Sequence, residues 1–174
     1  MFKFSASVML FCLLFSGQVF GQQYDKGIYR WKIKEGELTL VAAKMNRQDV
    51  VAGIFTKFFF YLDVANDGTY EVPFLKTHDL GGDYEDSVLA FDDGDTVWSD
   101  AEVVQKKGQL FVYYGYGNRK LKYKSGPIVV KIYKLFEGGV SEWSYGFKVE
   151  KILQYPVGKQ LTVLQAIKEA EAEK

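Results

Sequence analysis

The fold is decided by residues 58–74, Phe-Phe-Phe-Tyr-Leu-Asp-Val-Ala-Asn-Asp-Gly-Thr-Tyr-Glu-Val-Pro-Phe. Apolar residues alternate on both sides of the Asn-Asp-Gly sequence at 66–68, and alternation with a period of two predicts half-buried strands. Matching the two apolar faces sets Phe60 opposite Phe74 and leaves a three-residue loop at 66–68. A loop of this length uses a residue in the left-handed region, which glycine adopts without steric cost. The stretch therefore predicts an antiparallel hairpin.

The same alternation recurs in other parts of the chain. It is found at residues 29–33, 38–42, 87–91, 96–105 and 143–149. Sequences rich in Gly, Asp and Pro separate these segments, and such residues form exposed turns. The period changes at the end of the chain, where Leu161, Leu164 and Ile167 predict a helix over 160–173.

We therefore expect one all-β domain over residues 22–174, an antiparallel β-barrel or a β-sandwich of about 8–10 strands with a C-terminal α-helix. Sequential hairpins favour an up-and-down barrel, and this outline resembles the calycin (lipocalin-like) barrels. The resemblance is one of architecture. In Gly27-Ile28-Tyr29, tyrosine occupies the position that tryptophan has in the Gly-x-Trp motif of the first lipocalin strand.

The first 21 residues have the composition of a secretory signal peptide. Lys3 precedes an apolar run over residues 8–15, and Val-Phe-Gly at 19–21 forms a cleavage sequence before Gln22. A membrane-spanning helix needs about 20 apolar residues, more than this run provides, and no later segment is long and apolar enough. We therefore expect a soluble protein without a membrane span, exported to the periplasm or to the medium.

Cysteine and charge exclude several classes of protein. The one cysteine, Cys12, lies in the predicted signal peptide, so the mature chain has no disulfide, thiolate zinc site or cysteine nucleophile. Lys and Arg together equal Asp and Glu, 22 of each, and removal of Lys3 leaves a net charge of −1. A nearly neutral chain gives no support for nucleic acid as a partner.

The charges are nevertheless unevenly distributed. Residues 79–102 contain nine acidic residues and no basic ones, whereas residues 103–136 contain eight basic residues and no acidic ones. Two interpretations are open: the blocks pair across neighbouring strands, or they form opposed charged faces that steer partners.

No motif in the chain indicates a reaction. The mature chain has one histidine, His78, and neither a Gly-x-Ser-x-Gly elbow nor a phosphate-binding glycine loop. We expect no cofactor and no catalytic residues. Glycoside hydrolysis needs only two carboxyl groups about 5–9 Å apart, so the acidic segment leaves a carbohydrate-active module open.

Calcium is the metal that the sequence would suit best. Asp92, Asp93 and Asp95 provide oxygen ligands in one short segment. The segment does not follow the EF-hand pattern, and Asp and Gly are also ordinary residues of exposed turns. Both interpretations stay open.

Residues 109–124 form a second predicted hairpin, centred on a Gly-Asn turn at 117–118. The predicted register pairs Tyr114 with Leu121 on the core side. The opposite face then carries two aromatic and three basic residues: Phe111, Tyr113, Lys120, Lys122 and Lys124. Lysine stems covering the rings, a surface for an anionic or glycan ligand, and the lining of a lumen are the three interpretations.

Large aromatic residues at alternating positions define a further candidate site. In a hollow barrel they would line a ligand pocket, and in a filled barrel they would form its core. The residues are Trp31, Phe60, Tyr70, Trp143 and Tyr145.

These observations favour an exported, non-enzymatic β-protein that binds a ligand or a partner protein, as inhibitor and immunity proteins do. Two alternatives remain: a small-molecule-binding, lipocalin-like barrel, and a carbohydrate-binding or carbohydrate-active module.

Overall fold

The computed structural model shows an all-β protein with a C-terminal helix, as the alternation predicts. It describes residues 26–34, 36–46, 54–64, 66–76, 84–85, 87–92, 97–117, 127–140 and 143–173. The strands are β1 (Gly27–Ile33), β2 (Gly36–Asn46), β3 (Ile54–Asp63), β4 (Tyr70–Glu71), β5 (Phe74–Lys76), β6 (Tyr84–Glu85), β7 (Ser87–Asp92), β8 (Val97–Lys106), β9 (Gln109–Gly117), β10 (Ile128–Val140) and β11 (Trp143–Tyr155). A short 3-10 helix, Val157–Lys159, precedes α1 (Val163–Ala172). The predicted signal peptide, 1–21, lies outside the described residues.

All the described strands belong to one sheet, which is not closed. Its order is β1-β2-β3-β7-β8-β9-β10-β11-β5-β6, and β4 pairs with β3 beside this path. The pairs are antiparallel except that between β11 and β5, which is parallel. No helix in the described part of the chain is both long and apolar enough to cross a membrane.

One hydrophobic core fills the inner face of the sheet. Alternate residues of β2 and β3 are fully buried there, among them Leu38, Leu40 and Phe60. Phe60 contacts Phe147 of β11, with 5.0 Å between the ring centroids, although four strands lie between β3 and β11 in the sheet. The sheet therefore curves around its own core.

The hairpin at 58–74 forms, but the predicted register is wrong by one residue. Asp63 pairs with Tyr70, so Phe60 and Phe74 are not opposite each other. The cause is the buried Asp63 carboxylate, which accepts the N–H groups of Asp67 at 3.2 Å and Gly68 at 3.0 Å. These bonds fix a longer loop, and Phe74 pairs instead with Gly146 of β11.

The register predicted for residues 109–124 is also wrong. Tyr114 of β9 pairs with Ala101 of β8 on one side and with Lys131 of β10 on the other. A strand has only two edges, so Leu121 cannot pair there. Residues 118–126, which contain part of the predicted turn and the three predicted lysines, lie outside the described residues.

Helix α1 covers the outer face of β8, β9 and β10. It begins after Thr162, whose hydroxyl accepts the Gln165 N–H while the Gln165 side chain accepts the Thr162 N–H. This capping box satisfies two N–H groups at the helix start. A second apolar cluster, which includes Val130 and Ile167, fills the space between helix and sheet.

Candidate binding surface

Phe111 and Tyr113 face α1 and not the solvent. Phe111 is half-buried, and Tyr113 is buried in the cluster beneath the helix. Their cationic neighbours come from β8 and β10: Lys106 Nζ donates to the Tyr113 hydroxyl at 2.9 Å, and Lys134 Nζ lies 6.0 Å from the Phe111 ring centroid. Aromatic–lysine contacts therefore exist here, but the described ones involve other lysines. Ligand binding at Lys120, Lys122 and Lys124 stays a prediction.

The predicted lumen residues are only partly brought together. Phe60 and Tyr145 are buried in the inner core, and the half-buried Trp31 packs against it. Tyr70 is 49% exposed and contacts Tyr61 on the outside of the sheet. The side chain of Trp143 lies outside the described part.

The predicted calcium ligands are not tested as a group. Asp92 is the last residue of β7, and Asp93 and Asp95 fall outside the described residues. Among the residues that the structure describes, no three acidic or histidine side chains lie close enough to hold a metal ion.

The structure shows an outer aromatic surface that the sequence reasoning did not single out. We call it the aromatic face: the outer side of β1, β2, β3 and β7. Because Phe58, Phe60 and Leu62 of β3 point inward, the residues between them point outward. These outward residues of β3 are Phe55, Lys57, Phe59 and Tyr61.

Cross-strand pairing extends the aromatic face over four strands. Phe55 pairs with Phe91 of β7, and their rings stack with 4.5 Å between centroids. Phe59 pairs with Val41 of β2, which in turn pairs with Ile28 of β1. Apolar residues of four strands thus share one face of the sheet, with Lys57 among them.

Part of this surface is exposed, while the rings of Phe55, Phe59, Tyr61 and Phe91 are half-buried. Five large apolar side chains are exposed in the described residues, and three of them belong to the aromatic face or contact it: Ile28 (63%), Leu89 (42%) and Tyr70 (49%). Helix α1 packs on β8, β9 and β10, on another part of the sheet. Clusters of exposed apolar residues on a protein mark interaction sites.

Among the described residues of the aromatic face, basic side chains outnumber acidic ones. Lys57 Nζ lies over the Phe59 ring, 4.8 Å from its centroid, and Lys32 and Arg30 lie along β1. Arg30 forms an ion pair with Glu37 at 3.7 Å. The acidic Asp63, at the end of β3, is buried and bonded to its loop.

A second unusual feature lies beneath α1, where acidic side chains are buried. We call Asp100, Glu102, Lys168 and Glu171 the carboxyl cluster. Burial is the main cause that raises the pKa of Asp100 to about 6. The Ala101 N–H donates to Asp100 Oδ1 at 2.8 Å, and this hydrogen bond partly offsets the rise by lowering the pKa. The neighbouring charge of Glu102 raises it further.

Glu102 is the most deeply buried acid of the carboxyl cluster. It is 1% exposed, and Lys168 Nζ on α1 lies 2.7 Å from its Oε2. Burial, together with the hydrogen-bonding contact and charge of Glu102, raises the pKa of Glu171 to about 7. The cluster thus joins β8 to the last turns of α1 by ionisable groups.

Signals for both features were present in the sequence. Four consecutive aromatic residues at 58–61 must place rings on both sides of a strand, one of which cannot be the core. Asp100 and Glu102 alternate with Ala101 and Val103, so the acids share one face of β8. The position of α1 over that face could not be predicted from the sequence.

These features define a class: all-β proteins with one curved, mainly antiparallel sheet and a C-terminal helix on part of its outer face. The chain is similar in structure to CarG, known from a crystal structure, with a TM-score of 0.66 and 13% sequence identity. The similarity covers 90% of this chain and 96% of the CarG chain. At this identity it shows the fold alone. No family model and no curated protein matches the sequence.

Proposed function

We propose that this protein is an exported, non-enzymatic binding protein that contacts a partner protein through the aromatic face. The observation that carries the proposal is the accessible apolar surface of β1, β2, β3 and β7, with Ile28 and Leu89 exposed. Aromatic and arginine side chains are enriched in protein interfaces. The predicted signal peptide supports export to the periplasm or the medium.

The shape of the surface favours a protein over a small molecule. The aromatic face is the outer side of a curved sheet, and small molecules bind in concave sites. The interior offers little support for a lipocalin-like pocket, because Phe60, Leu62 and Phe147 fill it with no exposed surface.

The charge of the surface indicates the chemistry of the partner. Arg30 and Lys32 lie along β1 and Lys57 lies among the apolar residues of β3, and complementary charges give specificity and faster association. We therefore expect a partner surface with apolar side chains flanked by carboxylates.

We also infer a barrel and not a sandwich for the finer architecture. Residues 70–76 pair with β3 at Tyr70–Glu71 and with β11 at Phe74–Leu75. This segment thus connects two strands that are far apart in the sheet order. That arrangement supports a barrel of the up-and-down kind.

The test begins with affinity capture from the native periplasmic or extracellular fraction, using residues 22–174 as bait. A captured protein is identified, purified and titrated against the wild type and two double variants. Ile28→Ser with Leu89→Ser changes the aromatic face, and Ile152→Ser with Val157→Ser is the matched control, because these residues are similarly exposed elsewhere.

We expect the aromatic-face variant to bind at least about tenfold more weakly and the control to bind as the wild type does. Lys57→Glu should also weaken binding to an acidic partner, more so at low salt. Equal affinity of the wild type and the aromatic-face variant would refute the assignment of the surface. Circular dichroism and thermal unfolding verify that each variant is folded.

A further inference from the structure

Among the described residues, the carboxyl cluster has more carboxyl groups than ammonium groups that pair with them. Lys168 Nζ lies 2.7 Å from Glu102 and 3.6 Å from Glu171, so one ammonium serves two carboxyl groups. Lys106 bonds elsewhere: it donates to the Glu171 backbone carbonyl at 2.8 Å and to the Tyr113 hydroxyl. Carboxylates that share a buried site in this way favour retention of a proton.

The hydrogen bonding of Glu171 indicates where that proton resides. Its Oε1 is buried and has no hydrogen-bond partner among the described residues. As a carboxylate, Glu171 can only accept, and its neighbour Glu102 can also only accept. A protonated Glu171 is a donor, and its side chain lies within hydrogen-bonding contact of Glu102.

We propose that Glu171 retains a proton that it donates to Glu102, and that this hydrogen bond holds the last turn of α1 on β8, so that docking of this turn responds to pH. Loss of the proton leaves two carboxylates around Lys168 and releases the turn. The capping box at Thr162 and the apolar contacts of Val163 and Ile167 hold the first turns independently of pH.

The other ionisable groups around α1 have different neighbours. On β8, Asp100 and Lys106 lie on the same face as Glu102, and β9 contributes Tyr113. On β11, Lys151 pairs with Glu173 at 2.6 Å, and Tyr155 packs beneath the helix. Glu169 pairs with Lys159. On β10, Ile128, Val130 and Ile132 pack beneath the helix, and Lys134, near the Phe111 ring, pairs with Glu150 at 4.0 Å.

The direction of the response follows from the retained proton. The pKa of Glu171 is about 7 in the docked turn and close to its usual 4.5 in a released one. Docking is therefore strongest in acid and weakens as the pH rises from about 4.5 through about 7.

Hydrogen exchange of the mature chain at pH 5 and pH 8 tests the proposal, with rates corrected for intrinsic exchange. We expect the protection of the amides of residues 168–173 to fall about tenfold at pH 8, while β9 keeps its protection. Glu171→Gln supplies a permanent donor, so its protection should not change with pH. Glu173→Gln, the control at the same helix end, should respond as the wild type does.

Two outcomes would overturn the proposal. One is an unchanged pH response in Glu171→Gln, which would assign it to another group. The other is an equal loss of protection in β9 and α1, which would indicate global unfolding.

Discussion

The Asp100 side chain accepts a backbone hydrogen bond that would otherwise go to a neighbouring strand. Ala101 and Tyr114 form a pair that lies between hydrogen-bonded pairs of β8 and β9, so the Ala101 N–H points toward β7. In the described residues, β7 pairs with β8 at Ser99 and Val97 but no farther along β8. The Asp100 side chain accepts the N–H instead, which explains a buried acid at this position.

Replacement of Asp100 by Asn should stabilise the protein at neutral pH. Burial raises the pKa of Asp100 to about 6, so its ionisation lowers the stability of the folded state as the pH rises from about 4 through 6. Asn keeps the oxygen that accepts the Ala101 N–H but never ionises. We expect a gain of about 2 kcal/mol in the free energy of unfolding at pH 7.5 and none at pH 3.5, measured by urea unfolding. A gain of the same size at both pH values would contradict the proposed cause.

At the scale of elements, the docking of α1 depends on a residue without a side chain. A Cβ at Gly115 of β9 would lie 2.9 Å from Ile167 Cγ1 and 3.0 Å from Val163 Cγ1, closer than packed carbon atoms approach. Gly115 thus permits the helix to lie close against the sheet.

Gly115→Ala should therefore destabilise the protein by about 1–3 kcal/mol, because α1 must move outward to accommodate the methyl group. Gly158→Ala is the matched control, since a methyl group at that position would have nothing within 4 Å. Denaturant unfolding of both variants measures the difference. Equal stability of the two variants would show that the contact between helix and sheet adapts freely.

The elements themselves could be predicted from the sequence, but several of their partners could not. Period-two alternation correctly predicted β1, β2 and β7, and the change of period predicted α1. The register of β3 with β4 differs because the Asp63 side chain captures two loop N–H groups, a contact that apolar patterns do not contain. Phe111 and Tyr113 were predicted to point outward and instead lie against α1, because alternation separates the two faces of a strand without showing which one a helix will cover.

At the scale of the whole molecule, one core joins strands from both ends of the chain. Phe60 of β3 and Phe147 of β11 meet there, although they come from opposite halves of the sequence. We therefore expect the N-terminal and C-terminal strands to unfold in a single transition.

Phe60→Ala should cost about 3–5 kcal/mol, because it leaves a cavity in the centre of this core. Phe59→Ala changes a half-buried ring on the aromatic face and should cost about 1 kcal/mol. Calorimetry of both variants measures the costs. A small cost for Phe60→Ala would favour a loosely filled interior and would reopen the small-molecule alternative.

The candidate site was less predictable than the core. The aromatic face could be inferred from the four consecutive rings of residues 58–61. Its exposure could not be inferred, because it depends on α1 packing against β8, β9 and β10 and not against this face. The carboxyl cluster joins residues far apart in the sequence, such as Glu102 and Lys168, which are separated by 66 positions. Local spacing carries no information on such contacts.

The parallel pairing of β5 with β11 determines when folding can finish. Phe74 pairs with Gly146 of β11, the last strand described, so the edge of β5 has no partner there until that strand is made. Contacts between such distant positions form late and slowly. A chain that cannot complete its sheet until its end has emerged stays unfolded for longer during synthesis. If the protein is exported as we propose, this delay would keep it in the form that can pass through a narrow export channel.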